Sequence, residues 1–200
     1  MPPLALHLLA KLVRGLGSDN IDFRLRQSDF TLDGRRDGAP WLGMKIAELN
    51  TLDRVLLIGS FLRKDQPLLS ARLRHATKHG CQLTVVHGAD DDLLMPVANK
   101  LIVRPGGWVQ ALAEIAVAIA EQQGQPVPAS GVSVGEPSRK IARSLLSGER
   151  RAVLLGNAAV QHPQSAQLHA WAQWIAQATG ATLGMLSEAG NTVGAHLVGA

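Results

Sequence analysis

His75 and His79 stand four residues apart in the run LLSARLRHATKHG, and His87 follows closely. On a helix that spacing brings two imidazoles to one face, as a transition-metal site requires. A metalloprotease helix would read H-E-x-x-H, and no glutamate follows His75 here. Arg72, Arg74 and Lys78 stand among the histidines, and cations close by oppose the binding of another cation. The pair therefore reads as a solvated helix face. Asp90, Asp91 and Asp92 offer hard oxygen ligands, yet three consecutive aspartates lack the spaced ligands of a calcium loop. They suit the start of a helix over LLMPVA, where negative charge meets the positive end of the helix dipole. Cys81 is the only cysteine. A single thiol forms no internal disulfide and cannot supply a four-thiolate iron–sulfur cluster. Beside a strand-like run it reads as a buried core residue.

Two glycine turns say more. RVLLIGS ends an apolar run at Gly59 and Ser60, and RAVLLGN ends another at Gly156 and Asn157. A buried strand, a glycine turn and then a helix make up the beginning of a nucleotide cradle. The fingerprints of such cradles are missing. G-S-F-L-R-K at Gly59 is not G-x-G-x-x-G, and no G-K-[ST] occurs. Neither turn is a G-x-S-x-G nucleophile elbow. No catalytic residue and no metal ligand is assigned from these patterns.

The elements that must hold these turns repeat. Val55–Ile58 is a short apolar run, as in a strand buried on both faces. Asp65 or Gln66 can cap the helix that follows, and Pro67 suits its first turn. Leu69, Leu73 and Ala76 form its inner stripe, and Gly80 closes it in a left-handed conformation. Strands follow over 83–86 and 101–103, then a long alanine-rich helix after Gly107. The order returns with a strand at 152–155, Pro163 at a helix start, an inner stripe of Leu168, Trp171 and Ile175, a stop at Gly180 and a strand at 182–186. This is an internal repeat of one strand–turn–helix–strand unit. The expected fold class is α/β: a parallel sheet with helices on both faces, built from two such units. Its ligand positions are the carboxyl ends of the strands.

The 200 residues suit one domain. It divides into 1–52 (a helix over 4–16 and a long ordered loop over 18–41), 53–122 (the first unit), 123–138 (a connection) and 139–200 (the second unit). After Met185 no closing helix or strand is evident, so the expectation is a fragment of a longer subunit. The net charge of +4 is mildly basic. The densest basic patch, Arg139 to Arg151 with Lys140, Arg143 and Arg150, reads as a solvated or partner-facing helix, and no nucleic acid is expected as a partner. The best apolar helical run, 108–120, is short and broken by Glu114, so no membrane insertion is expected. The start lacks the basic region of a signal peptide, which points to a cytoplasmic chain.

GSDNIDFRLRQSDF (17–30) resembles the segment after the iron–sulfur domain in the G subunit of bacterial NADH-quinone oxidoreductase, respiratory complex I. IGSFLRKDQPLLSARLRHA (58–76) is similar to that subunit's G-x-N-P-R-x-x-x-P-x-L-x-x-R-[IL]-R-x-A pattern, and GNTVGAHLVGA (190–200) to its G-A-N-S-V-G-A stretch. The resemblance implies a molybdopterin oxidoreductase-like fold, whose active members hold a molybdopterin guanine dinucleotide in the strand-end loops. There the first turn typically reads G-x-N-P; here Phe61 and Leu62 stand in place of N-P. The second strand typically ends in an Asp-Pro-Arg-like turn; here it ends His87-Gly88-Ala89. The third typically ends P-G-T-D; here it is Pro105-Gly106-Gly107-Trp108. Each change removes a polar partner, at about 1–3 kcal/mol for every bond left unmade.

The resemblance therefore implies a vestigial cradle at Gly59, Ser60, Phe61, Leu62, His87, Gly106, Gly107, Trp108, Gly156 and Asn157. Phe61 and Leu62 are expected to fill the pterin space, and Trp108 the guanosine side. It also implies no cofactor in this chain, with iron–sulfur clusters only in an upstream part of the parent subunit. Its partners would be other peripheral-arm subunits, and its place the cytoplasmic side of the inner membrane through the complex. Two alternatives stay open: a fragment of an active molybdenum or tungsten oxidoreductase, and an independent nucleotide-binding protein with its ligand at Gly156-Asn157.

Overall fold

The computed structural model describes residues 2–24, 26–33, 35 and 38–199. Leu25, Gly34, Arg36 and Asp37, within the loop expected over 18–41, and the terminal Met1 and Ala200 lie outside the described residues.

Helix α1 (Pro3–Gly15) comes first, then the long loop and a 3-10 turn at Ile46–Thr51. β1 (Arg54–Ile58) leads through α2 (Leu62–Asp65) and α3 (Pro67–Lys78) to β2 (Gln82–His87) and then β3 (Asn99–Ile102). α4 (Trp108–Gln123) and α5 (Glu136–Leu146) carry the chain to β4 (Arg151–Leu155). α6 (Asn157–Val160) and α7 (Ser165–Thr179) connect to β5 (Thr182–Met185), and α8 (Thr192–Leu197) follows. The five strands form one parallel sheet in the order β3-β2-β1-β4-β5. β1 and β4 run in register from Arg54 opposite Arg151 to Ile58 opposite Leu155. The two glycine turns therefore leave the sheet side by side, where the strand order reverses.

Successive strand residues point to opposite faces, and here both faces are covered. Leu56, Ile58, Val86, Val153 and Leu155 pack against α4, α5 and α7. Val55, Leu57, Leu83, Val85, Ala152 and Leu154 pack against α3 and the 3-10 turn. α4 is buried along most of its length, because it packs against the sheet with α5 and α7 beside it. Its alanines let these neighbours approach. Pro67 opens α3, and Gly80 (φ +97°) and Gly180 (φ +67°) end α3 and α7 in the left-handed region.

Five local expectations are corrected. The side chain of Asp65 does not cap α3. It turns back to accept from the Phe61 N–H (3.0 Å) and the Ser60 hydroxyl (3.3 Å), and Gln66 at the N-cap makes no side-chain cap. No helix covers LLMPVA. Pro96 biases Met95 away from helical backbone, and the carboxylates find local partners instead. Asp90 pairs with Lys100 (2.5 Å), Asp91 lies 3.4 Å from His87 Nδ1, and Asp92 accepts from the Leu94 N–H (2.8 Å). α5 begins at Glu136, inside the expected connection, with Pro137 in its first turn. Pro163 precedes α7 without joining it. The stretch after Met185 contains α8, too short and too small in its side chains to show a helical period.

The long loop has no strand or helix among its described residues, yet it is pinned. Asp29 accepts from the Ala166 N–H at the start of α7 (2.8 Å), and the Ser28 hydroxyl donates to the Gln161 carbonyl (3.0 Å). Arg26 pairs with Glu188. Farther on, the Met185 N–H donates to the Trp41 carbonyl (2.8 Å), so the chain runs along the β5 edge of the sheet.

Candidate functional site

Open α/β sheets of this topology place ligands in the crevice between the two turns at the reversal of strand order. Here the turns touch. The Gly156 N–H donates to the Ile58 carbonyl (2.8 Å), and the Ala158 N–H donates to the Gly59 carbonyl (2.9 Å). A Cβ added to Gly156 would stand 2.2 Å from the Ser60 Cβ and 2.6 Å from the Gly59 carbonyl oxygen. Gly59 has φ +62°, and a Cβ there would meet the Ala159 nitrogen at 2.6 Å and the Trp108 ring at 2.9 Å. The glycines allow two backbones to meet.

Trp108 roofs this junction. It begins α4 directly after the turn that follows β3 and is 2% exposed. Its indole N–H donates to the Val103 carbonyl (3.1 Å). Its ring lies near two imidazoles, with centroids 6.0 Å from His87 and 5.6 Å from His162. His162 is fixed by the backbone: the Gln164 N–H donates to its Nδ1 (3.0 Å), so Nε2 carries the proton and donates to the Pro105 carbonyl (3.1 Å). Beside this cluster, the cavity lined by Ser60, His87, Asp91 and Lys100 measures about 10 Å³. That is near the limit for one water molecule and far from the size of a dinucleotide.

The sequence-predicted positions separate into groups. Gly59, Ser60, His87, Trp108, Gly156 and Asn157 gather at the strand ends. Leu62 does not join them; it is fully buried in the core on the α3 face. Phe61 packs partly against that same core, with the Arg63 guanidinium 5.4 Å from its ring. The pair fills the space beneath α3 and not the crevice. Gly106 is exposed and Gly107 half-buried in a 3-10 turn, and a Cβ on Gly106 would meet nothing within 4 Å. Asn157 brings one unspent group, since its Oδ1 is buried with no hydrogen-bond partner among the described residues. Sequence reasoning missed His162. It lies beyond α6 in QHPQ, and nothing in that short run announces a ring that returns to Trp108.

The other candidates disperse. His75 and His79 lie side by side on an exposed helix face, ring centroids 4.2 Å apart and tilted by 35°, and the described residues hold no group of three potential metal-binding side chains. Cys81 is buried, and burial pushes its thiol pKa up to about 11. The basic patch is largely spent on neighbours. Arg139 pairs with Glu121 (2.7 Å), Arg143 with Glu136, and Arg150 with Asp53 (2.8 Å). Arg151 belongs to β4 and donates to the Thr179 and Leu146 carbonyls. The Arg150 guanidinium, together with the Arg150 and Glu149 N–H groups, holds the Asp53 carboxyl well below the usual carboxylate range.

The sequence matches the molybdopterin oxidoreductase family over residues 4–200, and the chain belongs to that family. The five-stranded parallel sheet agrees with this membership. No individual curated protein matches the chain. At the strand ends the turns are in contact, Trp108 packs over them, and the adjoining cavity is water-sized.

Proposed function

We propose that the chain is a cofactor-free structural module, like the corresponding region of the G subunit of NADH-quinone oxidoreductase. In that role it supports electron transfer from NADH to quinone in the peripheral arm without taking part in the chemistry. The observation that carries this reading is the direct contact of the Gly59 and Gly156 turns beneath Trp108. A buried tryptophan and two touching backbones are stable without a ligand, since apolar surface removed from water contributes roughly 25 cal/mol per Å². The motif resemblances at 17–30, 58–76 and 190–200 support the choice of subunit. The iron–sulfur clusters belong to an upstream part of the parent, and the partners are neighbouring peripheral-arm subunits. No helix among the described residues is long and apolar enough to cross a membrane.

A second reading is favoured by one atom. The unpartnered Asn157 Oδ1 would accept a hydrogen bond from a nucleotide bound at the Gly156 turn. One set of measurements separates the readings. The purified protein is expected to carry neither molybdenum nor tungsten by elemental analysis and to release no fluorescent pterin on acid oxidation. Guanine nucleotides are expected to leave the melting temperature unchanged, because a ligand that binds the native state raises it by mass action. Stoichiometric metal with released pterin would replace the scaffold reading with an active oxidoreductase. A nucleotide-dependent rise alone, lost in Asn157→Ala, would favour the second reading.

A further inference from the structure

Away from the strand ends, a groove of about 490 Å³ runs along the outer side of α3. Its floor is the helix face bearing Pro67, Ser70, Ala71, Arg74 and Lys78, a stripe at the three- and four-residue spacing of one helical side. Arg63 closes one end, and Leu93 and Leu94 form the facing wall. At the helical rise the stripe extends about 18 Å.

The groove is cationic. Arg63, Arg74 and Lys78 have no ion pair among the described residues. The Nε of Arg63 is buried without a hydrogen-bond partner there. His75 also lines the groove. No carboxylate lines the groove; of the facing loop's aspartates, Asp90 is paired with Lys100, Asp91 lies against His87 Nδ1, and Asp92 accepts from the Leu94 N–H. The wall is also unusual. Leu94 holds φ +54°, a region that a leucine seldom adopts, and is 51% exposed. Leu68, on α3, is 81% exposed.

We propose that this groove docks an acidic, amphipathic segment of a partner protein. Carboxylates of that segment pair with Arg63, Arg74 and Lys78, and an aliphatic side chain covers the exposed Leu94. Charge complementarity selects the acidic character. The shape selects a peptide over a phosphate group: Arg74 and Lys78 stand about one turn apart on α3, Arg63 on α2 is at the groove's other end, and the exposed Leu94 accompanies them. Helix-in-groove binding has this combination of an apolar anchor and a polar rim. The surface is separate from the strand-end crevice, so the proposal stands whichever reading of that crevice holds.

The test uses the full chain and a fluorescein-labelled peptide about three turns long, with glutamates on one helical face and leucines on the other. Fluorescence anisotropy is expected to report saturable binding that weakens as salt is raised, because exposed charges are screened. Arg74→Glu/Lys78→Glu alters two exposed side chains, and its fold is verified by circular dichroism. It is expected to weaken binding at least about tenfold. A peptide with lysines in place of the glutamates is expected to bind this variant and not the wild type. Arg143→Glu on α5, outside the groove, is expected to leave binding unchanged. Absence of saturable binding, equal affinity in the double variant, or failure of the lysine peptide to recover binding would overturn the proposal. So would competition by inorganic phosphate or a single-stranded oligonucleotide at lower concentration than the unlabelled peptide.

Discussion

Replacing Trp108 with alanine tests the closed crevice directly. The side chain is 2% exposed, covers Gly59, and lies against His87 and His162. Truncating a buried tryptophan costs about 3–5 kcal/mol through lost transfer energy and the cavity left behind. The Val103 carbonyl also loses its donor, which accounts for about 1 kcal/mol of that range. In a domain of this size each kcal/mol moves the melting point by about 2–4 °C, so Trp108→Ala is expected to melt roughly 6–20 °C lower. Trp108→Phe keeps most of the volume and loses the donor, and should fall in between. Urea unfolding followed by circular dichroism measures both free energies. If Trp108→Ala costs under about 1 kcal/mol, the indole is not the roof described here, because no fully packed tryptophan is so cheaply removed. The cradle would then not be filled by this ring.

Gly156→Ala, which drives a Cβ into Ser60 and the Gly59 carbonyl, is expected to cost about 1–3 kcal/mol. Gly59→Ala should cost more because it adds left-handed strain, whereas Gly106→Ala, facing open space, should be neutral; thermal melts compare the three. Asp53 has a folded-state pKa below its unfolded value, so its contribution is present above the unfolded pKa and lost as pH falls through the folded one. Urea midpoints should therefore decline below about pH 4, and Asp53→Asn should show a flatter profile. Cys81, buried and with its pKa pushed up to about 11, should react with a disulfide reagent at pH 8 only after unfolding, when one thiol per chain is released.

The sheet was legible because its strands are short continuous apolar runs bounded by glycine and proline, and burial on both faces demands that pattern. Val55–Ile58 and Ala152–Leu155 are buried throughout for that reason. Gly80 and Gly180 were legible because helix ends need a left-handed residue. The site was only partly legible. Chain order placed Gly59, His87, Trp108 and Gly156 at strand ends, but it did not say which way a side chain turns. Phe61 and Leu62 lie next to Gly59 in sequence, yet the start of α2 directs them into the core beneath α3. His162 reaches Trp108 from a different loop, a contact that no local spacing encodes. The aspartate run misled because Pro96 and three local partners outweigh the attraction of carboxylates to a helix start.

The central strand is made early and completed late. β1 finds β2 after one short connection, but its other neighbour is β4, which is synthesised only after β3, α4 and α5. Until then one side of Val55-Leu56-Leu57-Ile58 has unpaired backbone groups and a fully apolar sequence, the combination that templates wrong pairing. Distant strand pairing also slows folding, because a long loop must close before contacts reward it. Asp53 meets the arriving strand just before its first residue by accepting from the Glu149 and Arg150 N–H groups. The same late step brings Gly156 against Ser60. On a ribosome the crevice between the turns is therefore open while the first half of the sheet forms, and it closes only when β4 docks. A nascent chain that stalls before Leu155 has an exposed sheet centre, and a chaperone that shields strand edges would have its task there.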